Sequence, residues 1–202
     1  DFFGGEPLMA METVRQTVDY ARSIEKQHKK HFRFTITTNG VGLNDENIEY
    51  INREMANCVL SLDGRPEVND KNRVTPAGGG SYDIILPKFQ KLLQTRGKDR
   101  DYYVRGTFTR DNLDFAEDVL HIADQGFDSV SVEPVVSEPG APYSLREEDL
   151  PQIFAEYERL AEQMLKRNDF NFFHFNVDLS QGPCVIKRMR GCGAGCEYVA
   201  IT

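Results

Sequence analysis

The chain lacks any long apolar run, and its first residues do not have the shape of a signal peptide. A membrane-spanning helix needs about 20 consecutive apolar residues, so the sequence predicts none. A secretory signal would show a basic start, an apolar middle and a small-residue cleavage site. We therefore expect a cytoplasmic protein that does not contact the membrane.

Acidic residues outnumber basic residues in this chain. The sequence holds 24 Lys and Arg against 32 Asp and Glu, for a net charge of −8. It contains no basic stripe that could neutralise phosphates, which argues against a nucleic-acid partner. The small cluster of Lys26, Lys29 and Lys30 falls at the end of a predicted helix, where it complements the helix dipole.

Cysteine is scarce and unevenly placed. Of the four cysteines, Cys184, Cys192 and Cys196 lie near the C-terminus, and only Cys58 lies elsewhere. This spacing is poor for a disulfide framework and better suited to a metal or cluster in a reducing compartment. We expect Cys58, on the apolar side of its strand, to be a buried small hydrophobe.

What the sequence does contain is a regular alternation of strand and helix. The predicted strands are 32–38, 58–62, 102–109, 129–135 and 172–177. Apolar residues at helical spacing predict helices within 8–24, 48–55, 85–92, 113–123 and 150–164. Alternation of this kind is typical of a parallel sheet or barrel with helices outside, here in one sizeable domain.

Four successive predicted strands have a polar second face. In the fourth, Val130 and Val132 alternate with Ser131 and Glu133. A closed eight-stranded barrel fills its interior with branched aliphatic side chains, so we expect a wider, partly open barrel that holds a polar, charged ligand. An antiparallel sheet with one solvated face would alternate in the same way, but the intervening helices disfavour it.

The first candidate for a binding site is the strand end Gly4-Gly5-Glu6-Pro7. Two glycines leave backbone groups bare for close approach by a ligand. A carboxylate follows, and then a proline that suits the first position of a helix. A tight strand-to-helix turn without a ligand would have the same sequence.

Polar side chains recur at the carboxyl ends of the predicted strands, where parallel α/β folds place their sites. The set is Glu6, Asn39, Ser61, Asp63, Arg105, Thr107 and Glu133. Together they suit a zwitterion with a sugar: Glu6 for an ammonium group, Arg105 for a carboxylate, and Ser61 or Asp63 for ribose hydroxyls. Taken singly, each also fits an ordinary turn or ion pair.

These residues bear a family resemblance. Gly4-Gly5-Glu6-Pro7 resembles the segment that binds the methionine ammonium of S-adenosylmethionine (SAM) in radical SAM enzymes. Later segments resemble landmarks of the subgroup with a SPASM or twitch C-terminal extension, namely Thr37-Thr38-Asn39-Gly40, Ser61-Leu62-Asp63-Gly64, Gly78-Gly79-Gly80-Ser81-Tyr82 and Arg105-Gly106-Thr107. Within that subgroup, Gly191-Cys192-Gly193-Ala194-Gly195-Cys196 looks closest to thioether-forming peptide maturases of the SCIFF type.

The resemblance implies a fold and a domain division. Residues 1–180 would form a partial parallel (β/α)6 barrel that lacks its first β/α unit, and residues 181–202 would begin a cysteine-rich auxiliary-cluster domain. Cys192 and Cys196, with Cys184 as a weaker candidate, would bind an auxiliary 4Fe–4S cluster. Zinc would need a fourth ligand, for which His174 is a possible supplement.

The resemblance also implies an activity. The enzyme would cleave SAM reductively to a 5′-deoxyadenosyl radical, remove a hydrogen atom from a precursor peptide and form a thioether cross-link. A flavodoxin or ferredoxin would supply the electron. The residues implied to bind SAM are Gly4, Gly5, Glu6, Pro7, Asn39, Ser61, Asp63, Arg105, Thr107 and Glu133. No residue is assigned as a catalytic acid or base.

One departure from the family leaves alternatives open. The three clustered cysteines that bind the SAM-binding 4Fe–4S cluster are missing, so we expect an internal fragment of a longer enzyme that is inactive alone. The alternatives are an anaerobic sulfatase-maturing enzyme that forms formylglycine, a (β/α)-barrel lyase or aldolase, and a non-catalytic peptide-binding barrel with a zinc-binding tail.

Overall fold

The computed structural model describes residues 1–138 and 140–176. It contains five strands: β1 (Phe34–Thr38), β2 (Met55–Ser61), β3 (Asp101–Phe108), β4 (Ser129–Pro134) and β5 (Asn171–Phe172). Six α-helices accompany them: α1 (Met11–His28), α2 (Asp45–Glu54), α3 (Pro66–Asn72), α4 (Tyr82–Gln94), α5 (Phe115–Asp124) and α6 (Leu150–Lys166). The predicted cluster ligands Cys184, Cys192 and Cys196 lie outside the described residues.

The five strands form one parallel sheet in the order β1-β2-β3-β4-β5. Phe2 adds a single parallel bridge on the free side of β1, because its amide donates to the carbonyl of Thr35 at 2.8 Å and its carbonyl accepts from the amide of Thr37 at 3.0 Å. At least one helix lies between each pair of consecutive strands. This confirms the predicted partial parallel barrel with alternating helices.

One face of the sheet packs against the helices and forms the core. Its side chains are buried, among them Phe34, Ile36, Cys58, Leu60, Val104, Phe108, Val130, Val132 and Phe172. The helices contribute Val18, Ile51, Ile85, Phe89, Leu92, Phe115, Val119, Ile122 and Leu160. Cys58 is fully buried as predicted, and burial raises the pKa of its thiol to about 12.

The other face carries the polar side chains that the sequence pattern placed there. Thr35, Thr37, Ser61, Arg105, Thr107, Ser129 and Glu133 are all half-buried. They are therefore neither packed under helices nor fully exposed to solvent. The face is polar and partly accessible, which suits a ligand that makes several hydrogen bonds.

Two elements differ from the sequence-based expectation. The predicted strand at 172–177 is reduced to Asn171–Phe172, and the short 3-10 helix Phe173–Phe175 follows it. The turn lets Phe175 pack edge-on against Phe172, with ring centroids 5.4 Å apart. Helix α3 was not predicted, because its one buried residue is the polar Asn69 and it has no apolar periodicity.

None of the helices in the described part of the chain is both long enough and apolar enough to cross a bilayer.

Candidate ligand site at the carboxyl ends of the strands

The strand register brings several predicted site residues side by side on the polar face. Ser61 of β2 pairs with Arg105 of β3, and Arg105 pairs with Ser131 of β4. One step further along, Thr107 pairs with Glu133. Neighbouring strands are about 4.8 Å apart, so these side chains line one small surface.

Gly4 and Gly5 lie at one side of this surface with exposed backbones. Their φ angles are +95° and +56°, values that side-chain-bearing residues rarely adopt. A Cβ atom at either position would meet nothing within 4 Å. The glycines are therefore required by the backbone conformation, and space remains above them for a ligand.

Glu6 ties the start of the first helical turn to the end of β1. Its Oε1 accepts from the Leu8 amide at 3.1 Å and from the Thr38 hydroxyl at 2.7 Å, and its Oε2 accepts from the Asn39 amide at 2.7 Å. A carboxylate has about four acceptor positions. Glu6 thus holds the strand end in place and keeps capacity for one further donor.

Asn39 and Gly40 turn the chain away from the site. The Oδ1 of Asn39 accepts from the amide of Val41 at 3.0 Å, which leaves its Nδ2 without a protein acceptor among the described residues. Gly40 has a φ of +77°, and a Cβ there would come within 2.3 Å of the Phe89 ring. Asn39 therefore keeps an amide donor available at the carboxyl end of β1.

Asp63 is buried and its carboxylate is already occupied. Arg73 donates from Nε to Oδ2 and from Nη2 to Oδ1, each at 2.8 Å, and the amide of Thr107 donates to Oδ1 at 3.0 Å. The ribose-binding role predicted for Asp63 therefore stays a prediction. Sequence reasoning missed Arg73, because no spacing rule links an aspartate to an arginine across a turn and a short helix.

Helix α3 is anchored through Asn69, which is fully buried. Its Oδ1 accepts from the Asp63 amide at 3.3 Å, and its Nδ2 donates to Asp70 Oδ1 at 2.9 Å and to Ser81 Oγ at 3.1 Å. The same Asp70 oxygen accepts the amides of Ser81 and Tyr82 at the start of α4. This network fixes where α3 delivers Arg73.

The close approach of β2 and β3 depends on Gly106. A Cβ atom there would come within 2.7 Å of the Leu62 carbonyl oxygen and 3.0 Å of the Asp63 Cα. The Leu62 amide donates to the Arg105 carbonyl at 3.1 Å. Because Gly106 has no side chain, Leu62 and Asp63, which follow β2, can pack directly against the β3 backbone. This contact lets the Asp63 carboxylate accept the amide of Thr107.

Arg105 lies near the centre of the polar face and is only loosely held. Its Nε is 3.6 Å from Glu133 Oε1, and the two side chains are 43% and 39% exposed. Ser131 donates to the same Glu133 oxygen at 3.2 Å. Within the described residues the Arg105 side chain makes no hydrogen bond, so its planar donor edge is available to a carboxylate.

His174 follows β5 and belongs to an aromatic cluster. Its Nδ1 is 2.9 Å from the Tyr157 hydroxyl, and its ring lies 4.9 Å from that of Phe172. Burial lowers the pKa of His174, and the nearby charge of Glu133 acts in the opposite direction. Among residues 1–138 and 140–176, no group of three or more His, Cys, Asp or Glu could hold a metal.

Comparison with known proteins adds a fold and a set of relatives. No family model matches the chain. A cysteine-type anaerobic sulfatase-maturating enzyme of Clostridium novyi (strain NT) is 27% identical over 92 residues, which cover 45% of this chain and 24% of that enzyme.

Solved structures cover more of the chain at lower identity. Native anSMEcpe with bound AdoMet and Kp18Cys peptide has a TM-score of 0.74 at 17% identity, over 86% of this chain and 49% of that one. Streptococcus suis SuiB bound to S-adenosylmethionine has a TM-score of 0.55 at 16% identity, over 84% of this chain and 37% of that one.

The chain spans about half the length of anSMEcpe and about a quarter of the curated relative. These structural neighbours are radical SAM enzymes, and at such identities the likeness shows the fold. The fold is the partial parallel barrel of that group of enzymes.

Proposed function

We propose that the chain belongs to a radical SAM enzyme that modifies a peptide, and that its polar face binds SAM. One observation carries the proposal: a half-exposed arginine without a hydrogen-bond partner in the described residues, Arg105, lies across the polar face from an exposed Gly-Gly strand end. These groups match the carboxylate and ammonium ends of an amino acid. The solved neighbours with the same fold include structures with SAM bound.

The residues present fit SAM in the following way. The carbonyls of Gly4 and Gly5 and the remaining acceptor position of Glu6 would take the ammonium group, and Pro7 fixes the turn that places them. Arg105 would bind the carboxylate through its planar edge. Hydroxyl and amide groups of Ser61, Thr107 and Asn39 would serve the ribose, with Glu133 beside them.

The chain's own part in the chemistry is binding and orientation. Bound beside a 4Fe–4S cluster, SAM would be cleaved by one electron into methionine and a 5′-deoxyadenosyl radical that could remove a hydrogen atom from the peptide. The half-buried polar side chains would supply the hydrogen bonds that hold the ligand in place. The two ends of the amino-acid part, held by Arg105 and by the Gly-Gly turn, would fix the direction in which the nucleoside points.

The reaction outcome has two candidates. Formation of formylglycine from a cysteine or serine is supported by the sulfatase-maturating relative and by the high structural similarity to anSMEcpe. A thioether cross-link is supported by the C-terminal segment around Cys192 and Cys196. We propose that these two cysteines, with Cys184, bind an auxiliary 4Fe–4S cluster in a domain that begins near residue 181, and that a flavodoxin or ferredoxin donates the electron.

Calorimetric titration of the full-length protein tests SAM binding. We expect saturable binding of SAM and much weaker binding of methylthioadenosine, which has the nucleoside but neither the ammonium nor the carboxylate group. Equal affinities for the two compounds would mean that the amino-acid end is not recognised. Mass spectrometry of a cysteine-containing peptide after turnover separates the outcomes, because only formylglycine reacts with a hydrazide.

A further inference from the structure

A cavity of about 320 Å³ opens at the rim of the sheet, at the carboxyl ends of β2, β3 and β4. Its lining includes Asp63, Asn72, Arg73, Thr107 and Tyr143. The Gly4-Gly5 strand end and Arg105 do not line it. It shares Thr107 and Asp63 with the residues predicted to bind SAM and extends from them on the side away from the glycines.

The hydrogen bonds within the protein determine which polar groups of this cavity remain for a ligand. The Asp63 carboxylate is buried and accepts three protein donors, so it offers little to a ligand. Arg73 uses Nε and one Nη2 proton for Asp63. Its Nη1 has no acceptor in the described part of the chain, and 29% of its side chain is exposed. The donors offered are therefore the outer edge of Arg73 and the amide of the exposed Asn72.

The electrostatics of Arg73 differ from those of Arg105. The charge of Arg73 is matched at 2.8 Å by a buried carboxylate, whereas Arg105 is 3.6 Å from a half-exposed one. A guanidinium that is already neutralised by a two-bonded carboxylate attracts a second anion weakly, but its free N–H groups still donate. Arg73 thus suits an uncharged acceptor, and Arg105 suits a carboxylate.

Tyr143 forms one wall and is 46% exposed, with its loop held to the barrel because the Arg110 amide donates to the Tyr143 carbonyl at 3.1 Å. Val135, which also lines the cavity, is held by its amide to the Phe108 carbonyl at 2.9 Å. The lining of the cavity therefore combines the donors of Arg73 and Asn72 with an aromatic and an aliphatic side chain whose backbones are held to the barrel. An extended polypeptide presents the same combination of carbonyl groups and apolar flanks.

We propose that this rim cavity binds an amide carbonyl of the polypeptide substrate through Arg73 and Asn72, with Tyr143 covering the flank of the peptide. The identity of the ligand as a peptide rests on the proposed function. The preference for an uncharged acceptor rests on the Arg73–Asp63 geometry alone.

The test uses full-length protein labelled with 3-fluorotyrosine, in which the Tyr143 signal is assigned by its loss in Tyr143→Phe. The probes are N-acetylalanine methylamide, which is neutral, and N-acetylalanine, which has nearly the same size and a carboxylate. We expect a saturable shift of the Tyr143 signal with the neutral probe and at least fivefold weaker binding of the carboxylate. Equal or tighter binding of the carboxylate, or no saturable shift, would overturn the proposal.

Asn72→Asp replaces one of the proposed donors in the cavity lining by a carboxylate and should weaken the neutral probe at least fivefold. The matched control is Asn168→Asp, an exposed site beyond the end of α6, which should leave the affinity unchanged. SAM is titrated into the same samples. Binding of the probe without SAM binding would contradict the proposed function alone, and displacement of the probe by SAM would assign the cavity to SAM and overturn the peptide subsite.

Discussion

Arg73 and Asp63 are joined by two parallel hydrogen bonds of 2.8 Å at the point where the ends of β2 and β3 meet. The carboxylate also accepts the Thr107 amide, so one buried group connects β2, β3 and the end of α3. The side chain of Asp63 is 6% exposed and that of Arg73 is 29% exposed. This pair sets the shape of the rim on which the polar face opens.

Removal of the charge at Asp63 should destabilise the folded protein. In Asp63→Asn, one carboxylate oxygen is replaced by an amide group that faces the Arg73 donors, so a hydrogen bond to a charged group is lost and a half-buried cation is left without its partner. We expect the free energy of unfolding to fall by about 2–3 kcal/mol, as measured by urea denaturation.

The matched control is Asp101→Asn, which removes the carboxylate paired with Arg33. Both side chains of that pair are more than 60% exposed. Exposed ion pairs contribute about 0–1 kcal/mol, so little change is expected. A similar loss in both variants would show that the Asp63 pair has no special structural role.

Arg105 should contribute directly to SAM affinity. Arg105→Ala removes the planar donor edge from the centre of the polar face, and we expect SAM binding to weaken by about 1.5–3 kcal/mol in calorimetry. Arg105→Lys should recover only part of this, because an ammonium group cannot make two parallel hydrogen bonds to a carboxylate.

Arg33→Ala is the control for that measurement, because Arg33 lies at the opposite, amino end of β1 and is largely exposed. It should leave SAM affinity unchanged. Unchanged affinity in Arg105→Ala, with the control also unaffected, would remove Arg105 from the proposed site.

The fold could be predicted because the pattern of apolar and polar residues within each short segment identifies the strands and helices. Alternation of apolar residues such as Val130 and Val132 with Ser131 and Glu133 gave both the strand and the side of the sheet that faces the helices. The structure confirms this division at β4, where the two valines are fully buried and Glu133 is half-buried. Short connections between helices and strands then left a parallel sheet as the simplest arrangement.

The parts that could not be predicted depend on contacts between distant residues. Glu6 meets Thr38 across 32 positions, and Asp63 meets Arg73 through the unpredicted helix α3. No periodicity encodes such a pair, because each depends on how two loops come together. The sequence pattern therefore predicted Glu6 and Asp63 as site residues, but it did not show that both carboxylates already bind protein donors.

Glu6 should be sensitive even to an isosteric change. Glu6→Gln keeps the size of the side chain, but its amide group would face either the donors at Oε1 or the Asn39 amide. A donor would then meet a donor, and we expect a loss of about 1–2 kcal/mol in the free energy of unfolding. Thr38→Val removes the donor to Glu6 and also the acceptor of the Gly40 amide at 3.0 Å, so it should cost about 1–3 kcal/mol by the same measurement. Equal stability of Glu6→Gln and the parent protein would contradict the role of Glu6 in holding the end of β1 in place.

Gly106 should not tolerate a methyl group. Its Cβ would lie 2.7 Å from the Leu62 carbonyl oxygen, so β2 and β3 would have to separate at their ends. We expect Gly106→Ala to lower the free energy of unfolding by about 1–3 kcal/mol. Gly79→Ala is the control, because a Cβ there has its nearest neighbour at 3.8 Å. Equal losses in the two variants would count against a required close approach.

His174 should make the stability depend on pH. Burial lowers its pKa below the usual 6.5, so around and below that pH the unfolded chain binds more protons at this position than the folded chain. Stability from the buried neutral ring is therefore present above the unfolded pKa and is lost as the pH falls through it. Urea denaturation at about pH 7.5 and about pH 5 should show a smaller loss of unfolding free energy on acidification in His174→Gln than in the parent protein.

The control is His28→Gln, an exposed site at the end of α1, which should keep the parent's pH dependence. An identical loss of unfolding free energy on acidification in all three proteins would show that His174 is not the titrating group.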